Sequence, residues 1–113
     1  MFDRDVVKEA LRRLRLDFPH KSKSWLQRCL RRLKDVRKLK VGYAVRGRAE
    51  LGDEETMYFV DYDEESKRWR CTCYDPVKMW SQRRRVEVCT HVGAVLLYRH
   101  CWDVVNEKRA RLA

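Results

Sequence analysis

Apolar positions in the first 40 residues recur at helical spacing. Val6, Val7, Ala10, Leu11 and Leu14 share one arc when successive residues turn by about 100°, which predicts an amphipathic helix over roughly residues 3–16. Asp3 and Asp5 suit the positive end of that helix, and Pro19 in "DFPHKSKS" stops it. A second helix is expected to open at Ser24, with Gln27 completing a capping-box pattern. Its apolar face is Trp25, Leu26, Cys29, Leu30, Leu33, Val36 and Leu39. Arg28, Arg31, Lys34 and Lys38 lie opposite, so this helix is greasy on one side and basic on the other.

From residue 41 the period shifts toward two, as half-buried strands require. Val41, Tyr43 and Val45 alternate with smaller or charged residues, and Tyr58, Val60 and Tyr62 share a face. "GDEE" between them reads as a hairpin turn and "DEES" at 63–66 as another. "KRWRCTC" then makes a third strand, with Trp69, Cys71 and Cys73 pointing the same way. The following "YDPVKMWSQRRRVEV" contains Pro76 and has no clear period; it reads as a loop with a short strand near 84–88. A last helix is predicted from about 91 to 109. Ala94, Val95, Leu97, Tyr98, Cys101, Trp102 and Val105 form one broad face, and His91 in the first turn points into it. Val92 and Leu96 fall on the other side and need a cover, from the N-terminal helices or from another protein.

The whole is an α+β fold: a small antiparallel sheet with a C-terminal helix, preceded by an N-terminal helical hairpin. Residues 1–40 form the basic hairpin packed on the rest, and 41–113 form the second unit. At 113 residues the chain buries only a modest core, so a metal would be a useful source of stability.

Charge adds a partner class. The net charge is +10, and residues 1–40 hold 14 Lys and Arg against 5 Asp and Glu. Such a field favours an anionic partner, nucleic acid above all, against the alternative of a solubilising surface. "MFDRDVVKEA" has no signal-peptide pattern, and the longest apolar run, "VGAVLLY" at 92–98, is far short of a membrane span. An intracellular protein, cytoplasmic or nucleoid or nuclear, is expected, with no membrane and no small-molecule substrate.

In a reducing compartment paired cysteines hold metal more often than they form disulfides. "CTC" at 71–73 and "CTH" at 89–91 are two such pairs. An i, i+2 spacing on an extended segment sets both sulfurs on one side, about 6.6 Å apart at Cα, within reach of one ion. A tetrahedral Zn2+ then needs two more ligands, which Cys89 and His91 supply. The site is Cys3His with Cys71, Cys73, Cys89 and His91, one Zn2+, closed and structural. The competing readings are weaker: cysteines as small buried apolar groups, a strained Cys71–Cys73 disulfide, or a redox dithiol, which prefers C-x-x-C. Cys29 and Cys101 fall on apolar helix faces and read as core, while His20 and His100 read as solvent-facing.

C-x-C, fifteen residues, then C-x-H followed by the apolar "VGAVLLY" resembles the SWIM zinc finger, a ββα module, over roughly residues 41–105. Tyr58, Val60 and Trp69 look like that family's strand positions. The resemblance implies the same four ligands and a DNA-binding or protein-interaction role, as in small accessory factors of recombination that work beside recombinase paralogues. The residues supply their own hint. Lys78, Trp80, Arg83, Arg84 and Arg85 lie between the two ligand pairs, where arginines can meet phosphates and the ring can stack on an unpaired base. Arg28, Arg31, Lys34 and Lys38 are spaced to face a phosphate backbone together. Each set is equally well read as a solvated basic surface. The functional expectation is a nucleic-acid-binding module, for DNA with low sequence specificity. The alternative is an adaptor whose Val92, Leu96, Met79 and Trp80 dock on a recombinase-like partner or a second copy. No nucleophile–base pair, paired carboxylates or phosphate-cradling glycine loop is present, so no enzyme is expected.

Overall fold

The structure, a computed structural model, describes residues 2–74 and 88–112. The expected loop, with its short strand near 84–88, lies almost wholly outside them. Helix α1 spans Arg4–Asp17, capped by Asp3, whose carboxylate accepts from the Val6 amide at 2.9 Å. Helix α2 spans Lys23–Arg32 and is capped by Ser22, not Ser24, through a 3.0 Å bond from the Trp25 amide.

Helix α2 ends well short of the expected Leu39. A 3-10 turn, Leu33–Asp35, leads into strand β1, Val36–Lys38. Helical spacing of Leu33 and Val36 survives the change because each is buried in a different core: Leu33 among the helices and Val36 under the sheet. Strand β1 pairs with β2, Tyr43–Arg46, through a turn in which the Leu39 amide bonds to the Gly42 carbonyl at 3.0 Å. Gly42 has φ +74°, and a Cβ there would meet the Val60 carbonyl at 2.5 Å. Only glycine suits that turn.

Strands β3, Met57–Asp63, and β4, Arg68–Cys71, complete an antiparallel sheet in the order β1-β2-β3-β4. The β2–β3 connection is longer than the tight turn expected from "GDEE". It includes a 3-10 turn at Ala49–Leu51 and is closed by the Gly47 amide on the Thr56 carbonyl at 2.9 Å. The Tyr58 hydroxyl accepts from the amides of Glu54 and Glu55 at 3.1 Å each. Asp53 is thereby carried inward.

Helix α3, Thr90–Leu112, is sandwiched between two layers. Leu97, Cys101 and Val104 face α1 and α2, joining Val6, Ala10, Leu14, Trp25, Cys29 and Leu33. Val92, Ala94 and Val95 face the sheet, with Val36, Val45, Tyr58 and Val60. Of the two covers expected for Val92 and Leu96, it is the chain's own elements that serve: the N-terminal half of α3 is apolar all round because helices and sheet cover it all round. Val92 is fully buried and Leu96 half-buried, so the chain supplies their cover itself. Cys29 and Cys101 are fully buried in the helical core, as expected. His20 is exposed, whereas His100 is tied to Asp17 at 2.7 Å and joins α3 to the end of α1. No helix among the described residues is long and apolar enough to cross a membrane.

Candidate metal centre

Strand β4 delivers Cys71 to the inner side of the sheet, where it is buried. The strand stops there and does not continue through Cys73. A turn follows, with the Tyr74 amide on the Cys71 carbonyl at 3.0 Å and the Cys73 amide on the Cys71 sulfur at 3.5 Å. The bend brings both sulfurs to one place by curling the chain, where an extended strand would have spread them.

Cys89 immediately precedes α3 and acts as its N-cap. Its carbonyl accepts from the Gly93 amide at 2.9 Å and its sulfur from the Val92 amide at 3.5 Å. Negative charge on sulfur is favoured at that end of a helix. Two residues on, His91 lies in the first turn. Val88, immediately before Cys89, holds φ 64°, a costly conformation for a β-branched residue. The Trp25 indole donates to its carbonyl at 3.1 Å and helps hold it.

The ligand atoms of Cys71, Cys73, Cys89 and His91 all lie within 4.8 Å of one another. Cys71, Cys89 and His91 are buried and Cys73 is half-buried. Burial pushes the Cys89 thiol up, but the neighbouring Cys71, Cys73 and His91 outweigh it and hold the thiol well below its ordinary range. Cys71 moves the other way, raised by its hydrogen bonds to Cys73 and Cys89 and by burial. Three sulfurs this close and this dry cannot all ionise without a cation among them. The cluster could bind one metal ion.

The imidazole carries the most specific sign. Its Nε2 meets the Asp53 carboxylate at 2.9 Å, while Nδ1, which is buried, has no hydrogen bond of ordinary geometry. A buried polar atom without a partner costs about 1–3 kcal/mol. A metal ion among the sulfurs would remove that cost. Asp53 is itself anchored: Arg32 grips it with two bonds of 2.5 and 3.0 Å, and the Arg48 amide donates to it at 2.7 Å. Arg32 also donates to the Thr90 hydroxyl at 3.0 Å. Tyr58 stacks on the imidazole with ring centres 4.0 Å apart. The side chains of Arg32, Asp53 and His91 are all nearly inaccessible.

These supporting residues were not foreseen from the sequence. Arg32 had one legible sign, since with Trp25 and Cys29 it completes an i, i+4, i+7 set on the buried side of α2. Asp53 had none, because it meets Arg32 and His91 only through the fold.

The basic residues are placed differently from the single helix face expected. Arg28 and Arg31 are exposed on α2, Lys34 is exposed on the 3-10 turn, and Lys38 is exposed at the end of β1, over the Tyr43 ring at 5.3 Å. The end of α2 at Arg32 is what separates them. Lys78, Trp80, Arg83, Arg84 and Arg85 lie outside the described residues.

No family model matches the chain, and neither a curated protein nor a solved structure is significantly similar to it.

Proposed function

We propose that the chain is a zinc-stabilised nucleic-acid-binding module of the SWIM type, acting on DNA with low sequence specificity as an accessory factor in recombination or repair. The observation that carries the reading is the Cys3His cluster with its orphaned, buried Nδ1 of His91. Three thiolates and one imidazole form a donor set that suits Zn2+. Four protein ligands close the coordination sphere and leave no position for a reactive water, so the ion's role is structural and not catalytic.

Charge and placement support the nucleic-acid half. The chain carries +10, and the segment holding Lys78, Trp80, Arg83, Arg84 and Arg85 starts and ends at the ligand pairs. Tying both ends of such a segment to one ion reduces the entropy lost when its arginines meet phosphates. Low sequence specificity follows from binding dominated by charge.

The test has two arms. Elemental analysis is expected to return about one zinc per chain; a much lower content, with Cys89→Ser still fully folded, would reject the metal centre. Binding of the zinc-loaded chain to oligonucleotides is expected to weaken steeply with salt. Replacing Arg83, Arg84 and Arg85 with Ala should reduce the logarithmic salt slope by roughly 0.7–0.9 for each phosphate that is no longer neutralised. Absent or salt-insensitive binding rejects the nucleic-acid reading.

A further inference from the structure

Helix α3 packs on one face of the sheet, and no element among the described residues packs on the other. Strand alternation sends Val36, Val45, Tyr58, Val60 and Cys71 inward, where all are buried. The same alternation sends Arg37, Arg46, Phe59 and Arg70 outward, where all are exposed. Register puts Arg37 opposite Ala44 and Ala44 opposite Phe59. On the far side, Phe59 and Thr72 exchange two 3.0 Å bonds, from the Phe59 amide to the Thr72 hydroxyl and from the Thr72 amide to the Phe59 carbonyl. Phe59 therefore stands in the middle of the outer face, 52% exposed. A shallow groove of about 290 Å³ runs beside it, lined by Val41, Asp61, Arg70 and Thr72 among others.

A phenylalanine ring left in water at the centre of a sheet is unfavourable, and the fold does not need it there; threonine would serve the strand as well. The charges around it identify what it suits. Arg37, Arg46 and Arg70 share this face with two carboxylates: Asp61, which Arg70 already engages at 2.8 and 2.7 Å, and Asp63 at the end of β3, which accepts from the Ser66 hydroxyl at 2.8 Å and the Glu65 amide at 3.2 Å. An apolar protein segment would gain from the ring but would leave Arg37 and Arg46 without counter-charges. A single-stranded nucleic acid supplies both a flat π-face and phosphates. A duplex keeps its base faces stacked inside and offers only the phosphates.

We infer that this sheet face binds single-stranded nucleic acid, with one unpaired base stacked on Phe59 and flanking phosphates against Arg37 and Arg46. The inference rests on the nucleic-acid reading above and deepens it by assigning a strand type and residues other than those at 78–85.

The experiment uses the zinc-loaded full chain and fluorescence anisotropy with a thymidine oligonucleotide of about 15 nucleotides, set against a duplex of the same length. Phe59→Ala is expected to weaken single-strand binding roughly 5- to 100-fold, the loss of one stacked base, and to leave duplex binding and the salt slope unchanged. Phe59→Trp should restore the affinity, and binding should quench its fluorescence by more than that of the wild-type chain, whose four tryptophans set the background. Arg37→Gln should weaken single-strand binding and lower the salt slope by about 0.7. Should Phe59→Ala fail to fold, the Phe59→Trp and Arg37→Gln variants carry the same test. Quenching in Phe59→Trp no greater than in the wild-type chain, together with wild-type affinity in Arg37→Gln, overturns the inference. Single-strand binding that ignores all three substitutions but falls in the Arg83/Arg84/Arg85 variant overturns the sheet face while the nucleic-acid reading stands. If the wild-type chain binds no oligonucleotide, both fail.

Discussion

His91 and Asp53 are joined by a 2.9 Å contact between Nε2 and Oδ1 that leaves Nδ1 as the nitrogen turned to the three cysteines. Ligation through Nδ1 requires the ring proton on Nε2, where the carboxylate accepts it. The pair therefore fixes both the tautomer and the orientation of the ring, and Arg32 fixes the carboxylate in turn. Asp53 is held in its charged form: burial pushes its carboxyl up, but Arg32, the Arg48 amide and His91 together hold it below its ordinary range.

Asp53→Asn should consequently lower zinc affinity by about 10- to 100-fold, as loss of such a support does at other zinc sites. Competition against a chromophoric chelator measures it. Asp53→Ala should also destabilise the fold by roughly 3–5 kcal/mol, because Arg32 is left charged and buried without a counter-charge. Unchanged affinity in both variants would mean that stacking on Tyr58 alone orients the ring.

Gly93 marks the closest approach of α3 to α2. A Cβ there would overlap the Cys29 sulfur and lie 2.8 Å from the Trp25 ring, and both neighbours are buried. Alanine normally gains up to about 1 kcal/mol over glycine in a helix, but overpacking costs about 1–3 kcal/mol. Gly93→Ala is expected to be destabilising on balance in denaturant melts. Adding Cys29→Ala should recover part of the loss, and a double-mutant cycle with no coupling would exclude the contact as its cause.

The clustering of Cys71, Cys73, Cys89 and His91 was legible because metal chemistry demands particular residue types at short spacing, and both pairs are local in the chain. Helices α1 and α3 were legible from their period. The end of α2 was not, because Leu33 and Val36 keep a helical interval while one is buried by helices and the other by the sheet. Nor was the curl at Cys73, since C-x-C fits a strand and a turn equally well. Arg32 stands beside the exposed Arg31 in the sequence, although it lies on the buried side of α2. Its partner Asp53 is 21 positions away, and no local pattern connects them. What was hidden in each case is a tertiary relationship that overrides a local preference.

Asp35 and Arg48 give the fold a pH dependence. Hydrogen bonds of 2.8 Å from Arg48 hold the Asp35 carboxyl below its ordinary range, against the opposing effect of burial. A carboxyl lowered in the folded state contributes stability that is complete above its unfolded value of about 3.9 and is lost as pH falls through the folded value. Asp35→Asn should therefore cost about 2 kcal/mol at neutral pH. It should also lose part of the wild-type decline in stability below about pH 4. Denaturant melts across roughly pH 2.5–7 would read both effects; parallel wild-type and variant curves over that range would exclude the pair as a source of acid sensitivity.

The five cysteines should separate into two classes by reactivity. Burial pushes the Cys29 and Cys101 thiols up to about 12 and about 11, so neither offers a thiolate near neutral pH. Both are enclosed by α1, α2 and α3, whereas an ion bound by the cluster would protect Cys71, Cys73 and Cys89. Alkylation read by intact-mass spectrometry should add nothing to the zinc-loaded chain and three groups after chelation. All five should react only in denaturant. That pattern requires the helical core to outlast the metal, which its separate packing against α1 and α2 supports. Addition of five groups on chelation alone would show instead that α3 holds its helical neighbours only while the ion fixes its first turn.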